Sequence, residues 1–186
     1  MPLLSARPGG DAEEDIAGLE ALRAALDARS SEAIAALLVG ETAPLLRETA
    51  LTRLARLDGP FPAEALVLLM RKGDTALRNA AIETLGSLGE RAVYALAPLI
   101  GDAGADTDAR IYALTALALV DSPRAAKLAL DVALNDPDVN VCAAAVDVVA
   151  ESGVRGMAAA LDKVAARFPE RPYLAFAAEA AQHRLG

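Results

Sequence analysis

Between residues 74 and 100 the chain reads DTALRNAAIETLGSLGERAVYALAPLI, and its apolar positions keep a helical beat. Leu77, Ala81, Ile82, Leu85 and Leu88 recur three and four residues apart, while Asn79, Glu83 and Ser87 fall on the other side. Asp74 is placed to accept from the free N–H groups of the first turn. Gly89 tolerates the positive φ that suits a helix end. A second helix follows, with Val93, Leu96, Leu99 and Ile100 as its apolar stripe, and Pro98 predicts a kink or an early stop there. Neither helix can bury its stripe alone, so the pair requires neighbours.

Those neighbours are edited copies of the same unit. Arg47-Glu48-Thr49-Ala50-Leu51 aligns with Arg78-Asn79-Ala80-Ala81-Ile82, Arg110-Ile111-Tyr112-Ala113-Leu114 and Cys142-Ala143-Ala144-Ala145-Val146, at spacings of 31, 32 and 32 residues. One column is small (Ala50, Ala81, Ala113, Ala145) and the next is a large aliphatic (Leu51, Ile82, Leu114, Val146). Three residues on stand Leu54, Leu85, Leu117 and Val149, and the turn column is Asp58, Gly89, Asp121 and Gly153. A fixed period with matching columns predicts stacked helical hairpins.

The Asp-x-x-x-Arg start, the Ala-Ala-aliphatic centre and the Leu-Gly turn resemble the HEAT-like repeats of bacteria, of the short kind named after the phycobilisome lyases. The resemblance covers about residues 41–168 and implies an all-α fold: a right-handed α-solenoid of about five helical-hairpin repeats with a C-terminal capping helix. It also implies a lyase-like or enzyme-associated role as the alternative to a plain binding module. Related HEAT-like proteins include a hydroxylase family with His-Glu metal pairs and a DNA glycosylase family with a basic groove. This chain has no His-Glu pair, no tryptophan and no basic run, and it carries no tetrapyrrole-binding motif.

Taken in order, residues 1–10 hold Pro2, Pro8, Gly9 and Gly10 and predict disorder. Residues 11–40 form a first repeat that caps the stack. Asp11 and Glu14 make a capping box, and Ile16, Leu19, Leu22 and Leu26 form one apolar face. Ser30 or Ser31 starts its second helix and Gly40 ends it. The second repeat spans 41–70, the third 71–100, the fourth 106–134 and the fifth 135–168, with the cap at 169–186. In the second repeat, Leu66 to Met70 exceeds one buried stripe, so that helix is either deeply packed or an exposed docking patch. In the cap, Leu174, Ala177, Ala178, Ala181 and Leu185 point inward, and Glu179, Gln182, His183 and Arg184 outward.

Composition narrows the function classes. Of 186 residues, 54% are hydrophobic but only 3% aromatic, which suits close helix approach over a bulky core. No apolar run is long enough to span a membrane, and MPLLSARPGG lacks the core and cleavage site of a secretory signal. The lone Cys142 fits a reducing cytoplasm, and 15 Arg against 3 Lys hint at a GC-rich bacterial genome. A net charge of −8 without a basic stripe argues against nucleic acid and anionic membranes.

Little in the chain promises chemistry. The recurring Asp74/Arg78, Asp106/Arg110 and Asp138 predict a structural ladder between repeats, since no base or metal ligand accompanies them. Residues 101–108 set three acids among glycines without calcium-loop spacing, which predicts a solvated linker and no metal site. His183, the one histidine, reads as a surface residue, and Cys142 as a buried filler rather than a nucleophile. No phosphate-binding or nucleophile-elbow motif occurs, so no cofactor is expected. The partner expected is another protein, met by the second helix of each pair. Candidates on those helices are Glu64, Arg71, Arg91, Tyr94, Arg124, Lys127, Asp131, Met157 and Lys163. Tyr94 stands out as an anchor type, although a buried tyrosine is the simpler expectation for it.

Overall fold

The computed structural model describes residues 10–39 and 43–185, and among them the fold is all-α, with eleven helices and no strand. The 1–10 stretch, apart from Gly10, and the Gly40 stop lie outside the described residues. The helices are α1 (Gly10–Asp27), α2 (Ser31–Leu38), α3 (Pro44–Arg56), α4 (Phe61–Lys72), α5 (Thr75–Ser87), α6 (Glu90–Gly101), α7 (Thr107–Ala118), α8 (Pro123–Asn135), α9 (Val139–Glu151), α10 (Ala158–Arg167) and α11 (Pro172–Leu185). A short 3₁₀ turn, Arg155–Met157, precedes α10.

Local chemistry sets most of the boundaries. Ser30, Asp74, Asp106, Ser122 and Asp138 each accept from a backbone N–H one turn into the following helix. Pro44 and Pro123 occupy first-turn positions whose N–H has no helical partner anyway. Gly89 and Gly153 turn between helices at φ 59° and 65°, where a side chain is disfavoured. Helix α6 does not stop at Pro98 but runs through it to Gly101. The proline sits one turn from the C-terminus, where losing one i→i−4 bond costs least.

The helices pack as two rows. The first helices of the pairs lie side by side in the order α1, α3, α5, α7, α9, α11, and the second helices in the order α2, α4, α6, α8, α10. Cross-contacts such as α4 on α5, α6 on α7 and α8 on α9 tie the rows together. All the substantial contacts join helices no more than three apart in chain order. The buried residues nevertheless form one continuous cluster from Leu22 to Leu185.

Two of the repeat columns lie wholly in the core, and the neighbouring aliphatic column joins them at Ile82, Leu114 and Val146, with Leu51 half-buried. Ala50, Ala81, Ala113 and Ala145 are fully buried, and so are Leu54, Leu85, Leu117 and Val149. The small column lets backbones approach, and the large one fills the space between rows. In α4, Ala63, Ala65, Leu66, Leu69 and Met70 are buried with Val67 and Leu68 half-buried, so the apolar excess there is packing and not a docking patch. The apolar face expected on α1 is only half used. Leu22 is buried and Leu26 partly so, but Ile16 and Leu19 are exposed, because Leu46 of α3 takes up position against Gly18 instead.

Candidate functional site

The second-helix row turns its polar stripes outward, and two of these stripes are joined by a built cluster. Tyr94 on α6 is 61% exposed. The stripe of Ala92, Val93, Leu96 and Ile100 is what α6 buries, and Tyr94 falls off it, so the expectation of a buried ring is corrected. The Arg124 guanidinium from α8 lies over the Tyr94 ring, 4.9 Å from its centroid. Arg124 Nε also meets Glu90 Oε2 at 3.0 Å. The hydroxyl of Ser122, the N-cap of α8, donates to the other oxygen of Glu90. Glu90 stands in the first turn of α6, where a carboxylate is favoured by the helix dipole. An exposed cation–π contact is worth only about 0.5–1 kcal/mol. Its consequence is therefore orientation: ring and guanidinium are held ready on the surface.

The other expected partner residues divide cleanly. Glu64 and Arg71 on α4, Lys127 and Asp131 on α8 and Lys163 on α10 are exposed, as expected. Arg124, Lys127 and Asp131 share one stripe of α8 by their spacing, and Asp131 accepts from Asn135 Nδ2 at 3.0 Å. Arg91 does not belong with them. It is half-buried and donates to the Leu57 carbonyl at 2.6 Å, closing the turn of the preceding repeat. Met157 lies in the 3₁₀ turn and packs against the core, because the chain here makes a tight turn before α10 instead of a long helix.

The arginine column links neighbouring units in two ways: Arg78 and Arg110 tie back to the preceding helix end, while Arg47 reaches forward to the aspartate that caps the next unit. Arg47 pairs forward with Asp74 at 2.7 Å. The Leu77 N–H and the Arg47 guanidinium hold the Asp74 carboxyl below the usual carboxylate range. Arg78 donates to the carbonyls of Met70 (3.2 Å) and Gly73 (3.1 Å), and it lies over the Tyr112 ring. Arg110 is 2% exposed. It donates to the Ile100 carbonyl through Nε (3.0 Å) and Nη2 (2.8 Å) and forms a bidentate pair with Asp136. Neither Asp74 nor Asp106 pairs with the column arginine of its own unit among the described residues.

Where the column turns to Cys142, an arginine arrives from elsewhere. Arg167, at the end of α10, donates to the carbonyls of Ala133 (2.8 Å) and Asp136 and contacts Cys142 Sγ at 3.3 Å. The thiol itself donates to the Asp136 carbonyl at 3.3 Å. Burial pushes Cys142 above its ordinary pKa, against the opposing pull of the Arg167 guanidinium. A buried thiol with a raised pKa is a poor nucleophile. Cys142 is expected to ignore a disulfide reagent in the folded protein and to react fully in denaturant. The absorbance of released thionitrobenzoate reads both phases, and rapid labelling of the native chain would mark the site as open.

His183 is exposed on α11. In the 101–108 loop, Asp102 accepts from Gly104 N and Asp106 caps α7, and no metal-ligand cluster occurs among the described residues. Gln182, expected in solvent, donates instead to Ala158 O and Asp162. Among the described residues, no helix is long and apolar enough to cross a membrane. In comparisons with known proteins, no family model matches the chain and no curated protein matches it in sequence.

Proposed function

We propose that this chain is a non-enzymatic protein-binding module, a cytoplasmic scaffold or adaptor of bacterial type. In this reading the two helix rows are a right-handed α-solenoid of about five HEAT-like hairpin repeats, closed by α11. The outer stripes of the second helices form the concave surface that a partner protein meets. The observation that carries the reading is the Tyr94–Arg124 pair. Interface anchors are commonly Tyr and Arg, and here both are exposed, in contact and fixed by Glu90 and Ser122.

The test is affinity capture from the native cytoplasm with the intact chain and with a Tyr94→Ala/Arg124→Ala variant. Partner recovery should fall at least tenfold while the melting temperature stays within a few degrees, because neither side chain is buried. Arg91 is left untouched, since its loss opens a turn and confounds binding with stability. An unchanged set of captured proteins removes this surface from consideration.

A further inference from the structure

Phe176 is the most exposed large apolar residue described, at 73%. It lies on α11 opposite the buried stripe of Leu174, Ala178, Ala181 and Leu185, with Glu179 and His183 one and two turns further along. Tyr173, one turn before Phe176, is 44% exposed as well, so two aromatic rings lie together on the solvent face of this helix. At the other end of the chain, Ile16 and Leu19 of α1 and Thr49 and Arg53 of α3 line a groove of about 300 Å³. A wider hollow of about 550 Å³ adjoins it, with Leu45, Arg53 and Arg56 on its walls. Ile16 is 58% and Leu45 54% exposed, and neither Arg53 nor Arg56 has an ion-pair partner among the described residues.

We infer that copies of this chain associate head to tail, with Phe176 of one copy seated in the α1–α3 groove of the next. An apolar cavity of about 150 Å³ already admits benzene, so the groove has room for the benzyl group. Glu179, a turn from Phe176, brings a carboxylate toward the exposed Arg53 and Arg56. The two patches are different surfaces of one molecule, so the contact is heterologous. Each added copy leaves one patch of each kind free, and growth continues unless the rotation closes a ring. Tyr94 lies on the other helix row and takes no part, so this inference stands apart from the partner-binding reading.

Sedimentation velocity on the full chain, carried into the millimolar range, tests it. The mass average is expected to climb above the 19.1 kDa monomer with concentration. Phe176→Glu and Leu19→Glu should each be monomeric alone. Mixed in equal amounts they should give a 1:1 dimer and nothing larger, since only one intact patch of each kind remains. Arg53→Glu should weaken assembly several-fold and Glu179→Arg should restore it in the double variant. If either glutamate variant unfolds by circular dichroism, Phe176→Ser and Ile16→Ser take its place. A wild-type chain that stays monomeric throughout overturns the inference. So does assembly that survives either substitution, or a mixture of the two variants that stays monomeric. Assembly that is normal in the Tyr94→Ala/Arg124→Ala variant keeps the two surfaces distinct.

Discussion

Replacing Arg110 with alanine is expected to cost about 3–5 kcal/mol of folding stability, a large share of what a domain this size commands. The side chain is almost wholly enclosed, and its guanidinium serves two acceptors at once: the Ile100 carbonyl at the end of α6 and the Asp136 carboxylate between α8 and α9. Removing it leaves a buried carboxylate without its counter-charge and a helix-end carbonyl without a donor. Both penalties fall on the folded state alone. Arg110→Lys keeps the charge but not the fork, so it can meet only one acceptor and is expected to lose an intermediate amount. Urea unfolding followed by circular dichroism reads these values, and the double Arg110→Ala/Asp136→Ala variant should recover part of the loss. A loss below about 1 kcal/mol for Arg110→Ala would put the pair in the class of solvated surface bridges and remove its role as a clamp.

That clamp also shows where sequence reading reaches its limit. The recurrence of arginine was plain, and so were the aspartate caps, because capping is a contact within one turn and needs no knowledge of the rest of the fold. Which acid the arginine takes is a tertiary matter. Asp138 is already committed to the N–H groups of Asn140 and Val141 and to the Thr107 hydroxyl. Asp136, two residues earlier, is therefore the one left for Arg110. The Arg167 substitution for the missing column residue at Cys142 is less legible still, since the two lie 25 residues apart and in different columns. Only the break in the pattern at Cys142 signals that some other donor must reach the end of α8.

The proposed binding surface was half legible for the same reason. Periodicity places Glu64, Arg71, Lys127, Asp131 and Lys163 outside, and there they are. It also places Tyr94 off the buried stripe, and the expectation of a buried ring, which rested on no positional argument, is outweighed by that local pattern. Glu90 and Ser122 stand one 32-residue period apart, each just after the turn column, so the repeat sets them in matching places, but a carboxylate and a hydroxyl in one column carry no sign that they bond. Arg91 and Met157 show the converse. A polar or flexible side chain on a second helix is free only if no loop carbonyl or core gap lies within its reach.

Trimming a buried leucine is expected to have different consequences in the middle of the chain and at its end. Leu85 on α5 and Leu185 on α11 are both enclosed, at 0% and 2% exposure, so alanine at either costs about 2–5 kcal/mol of local packing. Helix α5 has α3 and α7 on its two sides and α4 behind it, whereas α11 rests mainly on α9, α10 and the 3₁₀ turn before α10. If each hairpin is held mainly by its neighbours, as in a solenoid, stability is a sum over adjacent contacts. Loss in the middle then weakens both flanks, and loss at the end frays one helix. Leu85→Ala should lower the global urea midpoint and speed amide exchange from α3 through α7. Leu185→Ala should speed exchange in α10 and α11 while amides of α3 to α7 keep their protection. Equal loss of protection along the whole chain in Leu185→Ala would mean that the helices fold as one all-or-none bundle, and the repeat-by-repeat account of this architecture would fall with it.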